Sequence, residues 1–380
     1  MIKKKRTALS TIKHERKGDG FMVYTQEQMK KNDAIRKEYQ KYLNIGQEFL
    51  YLSEQDCIDT GTTDMEIIEA TEQGMIAYSK KVIEMPAKIG IHPMPDCLMH
   101  AMPANLPDQF ACGIKWGSNF PTNKTMYPDV IPTNCQIIYN DGLTGHMMAM
   151  MDASWITKVR TPATALVSIK HAANLNAKTF GMIGCGIQGK SNVRMVENIL
   201  KNLETIYVYD MYESAMDALI AEDQPQVKAK IVKASSLEEL VRSCDVIVSA
   251  LPIVHHPNPP VKKEWVHKGQ TIVCLDCHTV YEDAVYKSAD KYYVDSKEQH
   301  ELLIGYGYYP YGLPEITGET GELAAGMVPK RERDDELIII NNVGMASEDM
   351  MCAKIIFERA LEKGLGIKLP LWTSTKGLLK

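Results

Sequence analysis

One glycine constellation in this chain could do cofactor chemistry: Gly184-Cys185-Gly186-Ile187-Gln188-Gly189. An apolar segment, Phe180 to Ile183, runs into it, and an amphipathic segment follows. In that setting each glycine has a task. The first permits a tight turn, the second lets the backbone approach a pyrophosphate, and the third lets the following helix pack on the strand. The anion then meets the N-terminus of that helix, where free N–H groups and the dipole favour negative charge. The next apolar segment ends in Asp210, 26 residues after Gly184. A carboxylate there accepts hydrogen bonds from ribose hydroxyls and repels a 2′-phosphate. No Lys or Arg follows in Met211-Tyr212-Glu213. The expected cofactor is therefore NAD rather than NADP.

The cysteines and histidines point elsewhere. Cys274-Leu275-Asp276-Cys277-His278 has the spacing of covalent haem attachment. That chemistry belongs to exported chains, and no apolar run of secretory type follows Lys3, Lys4, Lys5 and Arg6. Zinc would need a second ligand pair at suitable spacing, and none is evident. His255-His256 falls in a Pro-rich stretch, and adjacent histidines point apart in extended chain, so a loop is expected there. No metal is expected. Nine cysteines, an odd number in a long chain, read as reduced thiols in the cytoplasm. Lys115 stands between apolar neighbours, where an unpaired cation would be costly.

These residues need elements to hold them. The chain has 380 residues, 45% hydrophobic and 24% charged, an ordinary globular balance. Its net charge of −5 argues against a nucleic-acid binder, and no apolar run is long enough to span a bilayer. Residues 1–45 stand apart with a net charge of +7, leaving −12 for the rest. Within them a helix is expected over 26–43, with Met29, Ile35, Tyr39 and Tyr42 as its apolar stripe. Such an extension either lies on the domain or docks a partner.

Residues 46–160 read as an α+β region. It has a helix capped at Asp64, strands joined by turns, and a hairpin at Asp141-Gly142. A helix over 155–173 is expected to carry Pro162 in its first turn. From 178 to 300 short apolar strands alternate with helices, the mark of βαβ units and a parallel sheet. A capping box at Ser236–Glu239 opens one of these helices. The last clear helix, from Ser347, is expected to stop at Gly364.

Three segments together, Gly113–Trp116 (GIKW), Met151–Thr164 (MDASWITKVRTPAT) and Gly181–Gly189 (GMIGCGIQG), resemble the ornithine cyclodeaminase/mu-crystallin family, as does the later SALP…LDCH series. The resemblance spans roughly Phe49 to Lys363. It implies an α/β fold: a Rossmann-type doubly wound parallel sheet inserted into a second α+β domain that binds substrate and forms a homodimer. Residues 46–160 with 340–380 would make the second domain, and 161–339 the NAD-binding one.

The family's chemistry starts with hydride transfer between an amino-acid Cα and NAD. The resemblance implies Asp276 as acid/base, and Arg160 as the guanidinium fork on the α-carboxylate. It implies Lys115 at the substrate, binding the carboxylate or shuttling a proton, and Lys88 where the family usually has an arginine. Thr161, Ser249 and Val343 are implied to line the cofactor with the glycine turn. Two departures stand out. His100 occupies the position where ornithine-specific members carry a glutamate for the side-chain ammonium, which turns the expectation toward a dehydrogenase or imine reductase, with a redox-neutral reaction of the ornithine cyclodeaminase type as the other outcome. Asn341 stands where the family usually has an aspartate. The stretch Gly305–Leu313 (GYGYYPYGL) either lines a substrate pocket or covers a sheet edge. A different class of function, an accessory or binding subunit like mu-crystallin that retains the nucleotide site, stays open.

Overall fold

Alternating apolar and polar residues over 98–119 and 133–152 build antiparallel strands with one buried face. A computed structural model of the protein describes residues 24–254 and 257–372. The Lys3–Arg6 run and His255-His256 lie outside the described residues. In chain order the strands are β1 (Glu48–Leu52), β2 (Ile89–Ile91), β3 (Leu98–Leu106), β4 (Ala111–Asn119), β5 (Thr133–Asn140), β6 (Met147–Asp152), β7 (Thr179–Ile183), β8 (Thr205–Tyr209), β9 (Lys230–Lys233), β10 (Val246–Ser249), β11 (Thr271–Cys274), β12 (Lys291–Val294), β13 (Gly318–Glu319), β14 (Ile338–Asn341) and β15 (Ile367–Pro370).

Seven strands form one sheet in the order β15-β1-β6-β5-β4-β3-β2, joining the two ends of the chain. Its inner face packs on the helices Ser154–Ala172 and Ala346–Lys363, and the Asp64–Ser79 helix packs on those two. The Asp141-Gly142 hairpin joins β5 to β6 as expected, with the Asp141 carboxylate taking the Leu143 N–H and the Thr144 hydroxyl.

Eight parallel strands form the second sheet, β13-β12-β14-β11-β10-β7-β8-β9. From β7 the chain winds outward through β8 and β9, then returns to β10 on the other side. This is the doubly wound order, and its switch point falls between β7 and β10. The registers Ile183↔Ser249↔Cys274↔Asn341↔Val294 align the C-terminal ends of five strands along one edge.

Local details differ from the sequence expectations. The helix after β6 starts at Ser154, because the Asp152 carboxylate accepts the N–H groups of Ser154 and Trp155. Pro162 lies inside this helix, not in its first turn. Thr63, in a capping box with Glu66, caps the Asp64–Ser79 helix in place of Asp64. At Ser236 only half a capping box forms, since the Glu239 carboxylate turns to the Ser235 N–H. The first helix ends at Tyr39 and buries Asn32 with Tyr39, while Tyr42 is exposed. It lies on the first unit, held by Tyr24 on Asn105, Asn32 on the Pro107 carbonyl and Arg36 on Asp141. Gly364 ends its helix in the left-handed region, φ +66°, as expected.

Candidate active site

The glycine turn sits at the end of β7, on the switch-point edge. Gly184 has φ +97°, and a Cβ there would stand 2.8 Å from the Ala250 carbonyl of the β10 end. A Cβ on Gly189 would meet the Gly184 carbonyl at 1.9 Å, so helix and turn touch only because Gly189 lacks one. At Gly186 a Cβ would meet nothing within 4 Å, so the backbone is open on the side where a phosphate would approach. Gly186 caps the Ile187–Met195 helix without a side chain, which leaves the first-turn N–H groups for an anion. Ile187 is exposed, Gln188 half-buried and Cys185 buried. This cradle fits a dinucleotide pyrophosphate.

Asp210 follows β8 as expected, but its carboxylate also braces the turn. It accepts the Cys185 N–H at 2.8 Å and the Tyr212 N–H at 3.0 Å. Each carboxylate oxygen keeps a lone pair for a ribose hydroxyl. Ser249, the last residue of β10, is fully buried and gives its hydroxyl to Asp276 at 2.9 Å. The Leu251 N–H reaches the other oxygen of Asp276 at 3.0 Å. Burial pushes the Asp276 carboxyl up to about 7, against the pull of these two donors. A carboxyl poised there can take or give a proton near neutral pH.

Two cations converge on the first turn of the Ala346–Lys363 helix, Lys115 from β4 and Arg160 from the Ser154–Ala172 helix. Lys115 on β4 pairs with Asp349, its Nζ 2.8 Å from Oδ1 and 2.7 Å from Oδ2. Arg160 puts Nε 3.0 Å from Asp349 Oδ1 and Nη1 3.6 Å from Glu348. Its guanidinium lies against Gly344, whose added Cβ would be 2.6 Å from Nη1. Burial raises the Glu348 carboxyl to about 7, although Arg160 opposes the shift. The fork expected for substrate is thus largely taken up by the protein's own carboxylates.

Lys88 differs from both. It is 7% exposed, donates to the Val343 carbonyl at 2.8 Å, and has no carboxylate within ion-pair distance among the described residues. Burial lowers it to about 8; nearby Asp295 counteracts, and Lys115 and Arg160 add to the lowering. A buried cation without an anion is an incomplete pair. His100 on β3 shares the sheet face of Lys115, with its ring over Gly90, where a Cβ would meet Cδ2 at 2.3 Å. Burial and the field of Lys88 hold its pKa down to about 3, and its buried Nε2 has no partner among the described residues. Thr161 is half-buried beside Arg160 on the Ser154–Ala172 helix.

Asp276 makes no described contact with the three cations. The link between them is Cys277, left-handed at φ +54°, whose thiol lies in the field of both Lys88 and Asp276. His278 is buried against Tyr286, rings 3.9 Å apart. No group of metal-ligating side chains occurs among the described residues. Asn341 is buried, accepting from the Tyr309 hydroxyl and donating to the Cys277 carbonyl. Gly305–Leu313 places Tyr308 and Tyr309 in a cluster with Cys277 and Val343, over the strand ends of the second sheet.

Sequence reasoning missed Asp295, Glu348 and Asp349. All three are fully buried. The signal for the latter two was adjacent acids in a helix whose next residues are Met350, Met351 and Cys352. Paired acids entering an apolar helix need cations.

Residues 51–364 match the model of the ornithine cyclodeaminase/mu-crystallin family. The chain belongs to this family. Within it, the chain is 27% identical to the N-((2S)-2-amino-2-carboxyethyl)-L-glutamate dehydrogenase of Staphylococcus aureus, over 86% of this chain and all of that protein. Among solved structures, Thermococcus litoralis Δ1-pyrroline-2-carboxylate reductase, in complex with NADH and L-proline, superposes with a TM-score of 0.75. The two are 26% identical over 84% of this chain and 99% of that one. An archaeal alanine dehydrogenase dimer with bound NAD gives a TM-score of 0.76 and 27% identity, over 86% of this chain and all of that one. The family members it resembles are NAD-dependent dehydrogenases and reductases of amino acids and cyclic imines, on the Rossmann-type fold described above.

Proposed function

We propose that this chain is an NAD-dependent oxidoreductase of the Cα–N bond of an L-amino acid, run as an amino-acid dehydrogenase or, in reverse, an imine reductase. The observation that carries it is Lys88, a buried cation without an anion, in a site that also holds a proton-active carboxyl at Asp276. In this reading Lys88 binds the α-carboxylate. Lys115 and Arg160, fixed by Asp349 and Glu348, form the cationic floor beside it. Asp276, held by Ser249 and the Leu251 N–H, takes a proton from the substrate nitrogen during oxidation and returns it during reduction. NAD, when bound on the Gly184–Gly189 turn with Asp210 at its ribose, supplies the hydride acceptor. Thr161, Ser249 and Val343 sit at its edge.

His100 favours net redox over deaminative cyclisation. A neutral imidazole in the field of Lys88 and Lys115 holds a side-chain ammonium poorly. Residues 46–160 with 340–380 then serve substrate binding and pairing of subunits, and 161–339 holds the nucleotide. The outer face of the first sheet, with Ile89, Ile91, Trp116 and Ile138 exposed, packs on no helix among the described residues, and a second copy of this chain covers it in the homodimer. Nine free cysteines suit the reducing cytoplasm. The test is Asp276→Asn. Its turnover with the best amino-acid substrate should fall at least about 100-fold, while NADH affinity, read by fluorescence, stays within twofold. Undiminished turnover would remove Asp276 from the chemistry.

A further inference from the structure

A single buried carboxylate stands behind both substrate cations. Asp295 follows β12, with no exposed surface. One of its oxygens, Oδ2, accepts the Val343 N–H at 2.6 Å and the Gly344 N–H at 2.7 Å. The other accepts the Ser296 N–H at 2.8 Å and lies 3.5 Å from Nδ1 of His300. Two successive amides turned onto one anion require a tight turn, and Gly344 supplies it with φ +80°. The same turn presents the Val343 carbonyl to Lys88 and the bare Gly344 Cα to the guanidinium of Arg160. It also leads into the helix whose Glu348 and Asp349 hold Arg160 and Lys115. So a residue of the nucleotide sheet touches neither cation, yet fixes the surface on which both rest.

We infer that Asp295 is a positioning residue for the substrate carboxylate: by clamping the Val343-Gly344 turn it sets the places of Lys88 and Arg160 and couples the nucleotide sheet to the substrate site. This rests on the oxidoreductase reading for its catalytic consequence, not for its structural one. An asparagine would keep the shape but lose the charge. Its NH2 would face the Ser296 N–H, donor against donor, or its NH2 would face the two turn amides; either way the clamp weakens.

The test compares wild type with Asp295→Asn and Asp295→Ala, using two readouts. The first needs no substrate. Lysine acylation read by mass spectrometry should label Lys88 at least about fivefold faster in both variants. Amide exchange of the 342–347 segment should quicken alongside it, while the 179–189 turn exchanges as in wild type. The second uses the best amino-acid substrate. KM should rise at least about tenfold with kcat changed less than threefold, Asp295→Asn being the milder. In a Lys88→Met background, Asp295→Asn should add much less than it does in wild type, because only the share that passes through Arg160 remains. Wild-type labelling of Lys88 in both variants, or full additivity with Lys88→Met, would overturn the inference. A wild type inactive on every amino acid would fail the oxidoreductase reading and leave the labelling result to decide the clamp.

Discussion

Lys88 and Asp276 together set how this protein should respond to pH. Burial puts the Asp276 carboxyl at about 7 and the Lys88 ammonium at about 8. Oxidation needs the carboxylate form of Asp276, which is gained as pH rises through about 7. Carboxylate binding needs charged Lys88, which is lost as pH rises through about 8. The kcat/KM for amino-acid oxidation should therefore be a narrow bell with limbs near 7 and 8, and Lys88→Arg should move the upper limb well above 8, since guanidinium does not titrate there. An upper limb unchanged in that variant would show that another group sets it. Asp210, Asp276 and Lys115 could be singled out in the sequence because their neighbours mark them: a strand end after glycines, an LDCH segment, a lone cation among apolar residues. Asp295 could not. It stands in KYYVDSKEQ with no motif around it, and its partners, the Val343 and Gly344 amides, are 48 and 49 residues away.

Among elements, the Ala346–Lys363 helix carries the most consequence for the site. Its first turn offers Glu348 and Asp349 to a helix and a strand of different origin, so it ties the Ser154–Ala172 helix and β4 into one ionic cluster. Removing one partner of a buried pair leaves charge uncompensated, at about 3–5 kcal/mol. Asp349→Ala strands Lys115 and leaves Arg160 with Glu348 alone. Urea unfolding should show a loss in the upper part of that range; a loss below about 1 kcal/mol would mean that water, not Asp349, balances those charges. The alternating strands, the glycine turn and the Gly364 stop were legible because each has a local cause. The Ser154–Ala172 helix starts one residue before the expected 155, where the side chain of Asp152, which closes the preceding strand, caps it. Strand-end residues double as helix caps, and periodicity does not record that.

At the scale of the whole molecule, the two sheets divide the labour. The parallel sheet aligns the ends of β7, β10, β11, β14 and β12 along one edge, and the mixed sheet supplies Lys115 from its inner face. Its outer face bears Ile89 at 68% and Ile91 at 55% exposure, with Trp116 nearby in the register. If a second copy covers that face, Trp116→Asp combined with Ile89→Asp should convert a dimer near twice 42.7 kDa into a monomer in light scattering. A wild type already monomeric at micromolar concentration would remove the interface. The joining of both chain ends into one sheet followed from the family resemblance rather than from local pattern, since β1, β6 and β15 meet across some 300 residues. The most direct test of the central claim is incubation of the purified protein with NAD+ and a panel of L-amino acids and N-substituted amino acids, following absorbance at 340 nm and product mass together. Lasting NADH with an imine or keto-acid product is the expected result. Release of ammonia with a cyclic imino acid and no net NADH would contradict it.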